Sequence, residues 1–132
     1  MLHTFRLFLL AALISVCGCS TLMPFGNSLA KATSNSELKK EVLEIVPLGT
    51  TVGQAEMRMR LRGFTCNVER NASFSERSWT GDVKKSSDGI DILHCERSEK
   101  AGDPMIKIWD VAFVLEGDIV KDVLVCHYLD TR

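Results

Sequence analysis

Residues 106–128 read IKIWDVAFVLEGDIVKDVLVCHY, and this stretch decides the fold. Within Ile106–Leu115, the residues Trp109, Val111, Phe113 and Leu115 recur at every second position, the period of a strand that buries one face. Ile119–Tyr128 continues in the same manner, and Glu116-Gly117-Asp118 between them is a short glycine-containing turn. The segment is therefore a β-hairpin. An isolated hairpin is marginal in water, so the rest of the chain must supply partners for its apolar face.

Upstream, Ile90–Arg97 reads as a strand with Leu93 and Cys95 on one face, and Phe64, Cys66 and Val68 alternate with Thr65, Asn67 and Glu69. Asn71–Gly89 between them is polar and reads as a loop, with Phe74 and Trp79 as its large aromatics. Before Gly63 the period changes from two to that of a helix. Ser34 and Glu37 fit a capping box, Leu38, Val42, Ile45 and Val46 share one face, and Pro47 and Gly49 stop the helix. Thr51 and Gln54 repeat the cap, Val52, Ala55 and Met59 form a stripe extended by Leu61, and Gly63 ends the second helix. Helices followed by a run of strands predict an α+β domain over residues 37–132, two N-terminal helices packed on a four-stranded antiparallel sheet.

Residues 1–18 have a different character. Arg6 precedes the nearly unbroken apolar run Leu7–Val16, and no acidic residue occurs before Glu37. A positive start, an apolar core of ~7–15 residues and small residues at the exit are the layout of a secretory signal peptide. The run is too short for a spanning helix, which needs ~20 apolar residues. Val16-Cys17-Gly18-Cys19 resembles the lipobox of bacterial lipoproteins, in which the cysteine is lipidated and becomes the first mature residue. The resemblance implies Cys19 as the lipidated residue, and Ser20 after it implies the outer membrane, facing the periplasm. A plain secretory signal is the competing reading. Residues 19–36, rich in Ser, Thr, Asn and Gly, read as a flexible tether.

The sixteen Lys and Arg less Arg6 leave fifteen against seventeen Asp and Glu. That balance lacks the clustered positive charge of a nucleic-acid binder. About 110 residues remain after the leader, the size of one small domain.

Leu48-Gly49-Thr50-Thr51, Gln54-Ala55 and then Leu61, Gly63 and Phe64 resemble the helix-turn signature of small lipoproteins of the SmpA/OmlA (BamE-like) group. The wider set shares a β-lactamase-inhibitor-protein-like fold, with two N-terminal helices on an antiparallel sheet. The familiar member has Gly-x-Pro after the second helix, where this chain has Gly63-Phe64-Thr65-Cys66. The resemblance implies a non-enzymatic binding or scaffolding module of the envelope, with a protein partner and no catalytic residues. An inhibitor or immunity protein against a periplasmic enzyme or toxin is the alternative.

With Cys19 lipidated, Cys66, Cys95 and Cys126 remain in an oxidising compartment. Cys66 and Cys95 lie on the apolar faces of their strands, so a Cys66–Cys95 disulfide is expected if the strands are neighbours. Two buried free thiols are the other reading. Cys126 shares a face with Leu124 and Tyr128 and reads as a small core residue. His94-Cys95 and Cys126-His127 have the composition of a zinc set, but adjacent strand residues point to opposite faces and cannot converge on one ion. A Cys126-His127-Asp130 nucleophile set fails for the same reason. No metal, cofactor or catalytic residue is expected. Trp79, an aromatic in a polar loop, is the candidate interaction residue.

Overall fold

The computed structural model describes residues 34–78 and 82–131. Helices α1 (Asn35–Ile45) and α2 (Val52–Arg60) precede strands β1 (Thr65–Arg77), β2 (Val83–Gly102), β3 (Met105–Glu116) and β4 (Ile119–Thr131). The strands pair antiparallel in the order β1-β2-β3-β4, so the domain is α+β around a four-stranded meander.

Both helix starts follow from their caps. The Ser34 hydroxyl accepts from Glu37 N at 3.2 Å, and Thr51 Oγ1 accepts from Gln54 N at 3.4 Å, each satisfying a first-turn donor that has no intrahelical partner. The helical segment after Thr51 closes in a Schellman arrangement: Phe64 N donates to Met59 O and Gly63 N to Arg60 O, with Gly63 at φ 83°. Phe64 and Met59 then meet in the core, the hydrophobic contact that accompanies this motif. At the other end of the molecule, Gly117 at φ 61° opens the two-residue loop between Glu116 and Ile119, the glycine-first pattern of a type II′ turn.

One face of the sheet carries the larger core. Cys66, Leu93, Cys95, Trp109, Val111, Phe113, Leu115, Val120, Val123 and Val125 form a single buried cluster with Leu38, Val42 and Val46 from the α1 segment and Ala55 and Met59 of α2. Cys66 is the direct register partner of Cys95, at a Cα–Cα distance of 4.1 Å, and the two form a disulfide within this cluster. Val68, although in phase with Cys66, is 45% exposed, and Leu61 is 55% exposed, so neither joins the core.

The opposite face holds a second cluster of Phe74, Ile92, Ala112, Leu124 and Cys126. It exists because the polar segment Asn71–Gly89 is not a loop. β1 runs on to Arg77 and β2 begins at Val83, so most of that segment is a paired extension of the hairpin. A strand needs only its backbone bonds and one inward row; here Ala72 and Phe74 supply the row, while Ser75 and Ser86 meet across the pair at 3.2 Å. Register shifts between Glu69 and Ala72, and again between Ala72 and Phe74, mark bulges, with Asn71 at φ 51°. Bulges bend a strand and increase its twist. The outer half of the hairpin thus turns across the second face until Glu76 and Arg77 reach β4.

That turn also covers the open edge of β4. The 49–52 segment pairs with its start: Gly49 N donates to Val120 O, Val120 N to Thr50 O and Val52 N to Asp118 O. Further along, Val125 N donates to Glu76 Oε1 at 2.9 Å and His127 N to Asn35 Oδ1 at 2.9 Å. Asn35, which the sequence assigns to the tether, is the first residue of α1, and its Nδ2 also donates to Arg77 O at 2.6 Å. The edge donors switch from an even to an odd position because Lys121 is a bulge residue between the pairs Leu115–Val120 and Val114–Asp122. The same switch lets Val120 and Val123 enter one core.

Candidate functional site

Under the turned hairpin lies a groove of about 670 Å³, lined by residues of β1, β2, β3 and β4 that include Glu69, Ser73, Phe74, Arg77, His94, Asp110, Cys126 and Tyr128. Its walls follow from the register. His94 and Asp110 occupy the row positions that share the second face with Ile92, Ala112 and Cys126, and Glu69 arrives from β1 just before the first bulge.

His94 is the centre of this groove. Its Nδ1 lies 2.9 Å from Glu69 Oε1, and its Nε2 is hydrogen-bonded to Asp110 Oδ1. The Phe74 ring meets the imidazole edge-on at 6.1 Å, with an interplanar angle of 74°. The Asp110 hydrogen bond outweighs the opposing effect of burial and, with the charges of Asp110 and Glu69, raises the His94 pKa to about 9. At neutral pH the ring is an imidazolium that donates to a carboxylate on each side. Three strands are thereby cross-linked through one side chain.

The four residues of the His-Cys pairs separate as strand alternation requires. His94 and Cys126 line the groove, whereas Cys95 lies in the other core and His127 stacks on Trp109, centroids 5.3 Å apart and 9° from parallel. Trp109 is also capped by the Arg97 guanidinium, 5.7 Å from the ring. Burial pushes the Cys126 thiol up, which suppresses the thiolate that a nucleophile requires, and its Sγ lies 3.8 Å from Arg77 O. Cys126 is 3% exposed and sits in the second core, beside Leu124.

Glu69, Asp110 and Glu96 were not singled out by the sequence. Asp110 carried a signal, a lone carboxylate inside the apolar run Ile106–Leu115, but its partner depends on the β2–β3 register, which no local pattern encodes. Cys19 and Trp79 lie outside the described residues.

A second surface feature belongs to α2. Met57 and Leu61 are 56% and 55% exposed, one helical turn apart, and with Gly53, Glu56 and Arg60 they border an apolar cleft of about 400 Å³. Leu48, just before the 49–52 segment, and Ile119, at the start of β4, are also exposed, and that segment is hydrogen-bonded to β4. Among the described residues, no helix is long and apolar enough to cross a membrane. No family model, curated protein or solved structure matches the chain.

Proposed function

We propose that this chain is an envelope lipoprotein, anchored through Cys19 at the periplasmic face of the outer membrane, that works as a non-enzymatic protein-interaction or scaffolding module. The observation that carries the reading is the exposed Met57–Leu61 face and its cleft. Paired long aliphatic side chains at i and i+4 on a helix are the anchors that a partner groove or helix recognises, and methionine is enriched at such contacts. The suppressed Cys126 thiolate is consistent with binding rather than acyl-transfer chemistry. Two helices that precede the sheet and bury side chains with it are also the arrangement expected from the BamE-like resemblance.

The test is capture of partners from solubilised membranes by the wild-type chain and by Met57→Asp/Leu61→Asp. Both side chains are exposed, so the double variant should retain its circular dichroism spectrum and weaken capture by at least about tenfold, the scale of losing an interface anchor. Equal recovery of the same partner by both proteins would reject the α2 face. If the captured partner is a hydrolase whose activity the chain blocks, the inhibitor reading replaces scaffolding. Cys19→Ala should move the protein from the membrane to the soluble fraction, and retention in the membrane would reject the anchor.

A further inference from the structure

We propose that His94, Asp110 and Glu96 form a binding site for a divalent transition-metal ion of the zinc class, with Glu69 positioning the imidazole. The inference concerns the β2–β3 face and is independent of the α2 surface. One nitrogen and two carboxylate oxygens from these three residues lie within 4.8 Å of one another. Around a tetrahedral ion, with bonds of about 2.0–2.2 Å, donors sit about 3.4 Å apart, so small rotations of two carboxylates close the set. Glu96 and Asp110 are direct register partners, and His94 lies two residues along β2 on the same face. The spacing of the three side chains is thus held by ladder hydrogen bonds rather than by a loop, which makes for a preorganised site.

The imidazole is oriented as in a metal centre. A metal-ligating histidine commonly donates its second ring N–H to a carboxylate, which fixes the tautomer and makes the free nitrogen more basic. Glu69 Oε1 stands 2.9 Å from His94 Nδ1, leaving Nε2 directed at Asp110. An ion enters between Nε2 and Asp110 Oδ1 by replacing the Nε2 proton, which leaves to solvent; no oxidation or other bond change is involved.

Charge favours the exchange. Glu69, Asp110 and Glu96 gather three carboxylates around one imidazole. Among the described residues, no lysine or arginine forms a salt bridge with any of the three, and both bridges to the cluster come from His94. The imidazole selects a transition metal over magnesium or calcium, which take oxygen donors. Three protein ligands leave a coordination position open, as in zinc sites that bind water or an exogenous group.

This set differs from the His94, Cys95, Cys126 and His127 combination that alternation rules out. The test uses the full chain in detergent, stripped with a chelator and titrated with cobalt(II) and zinc(II) salts alone. One ion per chain is expected, with cobalt d–d bands of a low-coordinate nitrogen–oxygen site and no thiolate charge-transfer band. His94→Gln should abolish binding. Because Glu96 is exposed, Glu96→Gln keeps the fold and should weaken binding at least tenfold, which decides the matter even if His94→Gln fails to fold. Glu69→Gln should weaken binding by about 10–100-fold and shift the cobalt bands, a change that a purely structural role does not produce. Absence of stoichiometric binding by the wild type, or affinity equal in the wild type and Glu96→Gln, overturns the proposal.

Discussion

His94 joins three strands because both of its ring nitrogens find a carboxylate: Glu69 on β1 and Asp110 on β3. In the metal-free protein this makes stability depend on pH in a defined direction. The folded-state pKa of about 9 lies above the ordinary value of 6.5. A group raised on folding stabilises fully below its unfolded pKa, and the contribution is lost as pH rises through the folded one. The window is therefore pH 6.5 to about 9. The charged groups facing the ring are Glu69, Asp110 and, on its own strand, Glu96. Across the groove, burial pushes the Cys126 thiol and the Tyr128 hydroxyl up. With chelator present, the unfolding free energy should fall between about pH 6 and about pH 9.5 by on the order of 1–2 kcal/mol once partial exposure is allowed for, and the urea midpoint should fall with it. His94→Gln should be less stable at the lower pH and nearly flat across the range. A wild-type midpoint that rises with pH contradicts the assignment. The sequence displayed His94 plainly but not its partners, since a side-chain contact between strands depends on register, and register is set by the whole pattern of burial.

At the level of elements, the helices were legible because their signals are local. A hydroxyl three residues before a backbone donor caps a helix wherever it occurs, and Ser34 and Thr51 do so. The alternation in β3 and β4 was legible because each buries one or both faces in a core. The outer half of the β1–β2 hairpin was not, because its three register shifts break the period and its outward residues are polar. Polar outward residues and bulges also blunt sheet edges against pairing with other chains. Asn35 has a related role on β4, bridging Arg77 O and His127 N across the open edge. Asn35→Ala leaves both backbone groups without that partner, and should cost about 1–2 kcal/mol. The readout is amide hydrogen exchange: His127 should lose protection in the variant, while amides in the β2–β3 ladder keep it. Unchanged exchange at His127 would remove Asn35 from the edge cover.

For the molecule as a whole, the two cores lie on opposite faces of one sheet, and its first two strands carry both a disulfide and the turned hairpin. Cys66 and Cys95 are 29 residues apart in sequence and direct neighbours across β1 and β2. The loop they close contains the hairpin's outer half, including Phe74 of the second core and Glu76 and Arg77 at the β4 edge. Without the crosslink, the unfolded chain regains the freedom of a loop of about 30 residues, worth about 3–4 kcal/mol by loop-closure entropy. A domain of this size has a total of about 5–15 kcal/mol, so the bond separates a robust fold from a marginal one. Cys66→Ala/Cys95→Ala should therefore lower the unfolding free energy by about 3–4 kcal/mol and move the urea midpoint to lower concentration, and the wild type under reductant should move with it. Both substitutions sit in the larger core, so the variant's loss carries an added cavity cost that the reduced wild type avoids. The comparison of the two isolates the crosslink. Alkylation after denaturation should find one reactive thiol, Cys126, among these three cysteines without reductant, and three with it. Three thiols under both conditions, with a midpoint indifferent to reductant, would mean that the hairpin holds its turn over the second core by packing and edge hydrogen bonds alone.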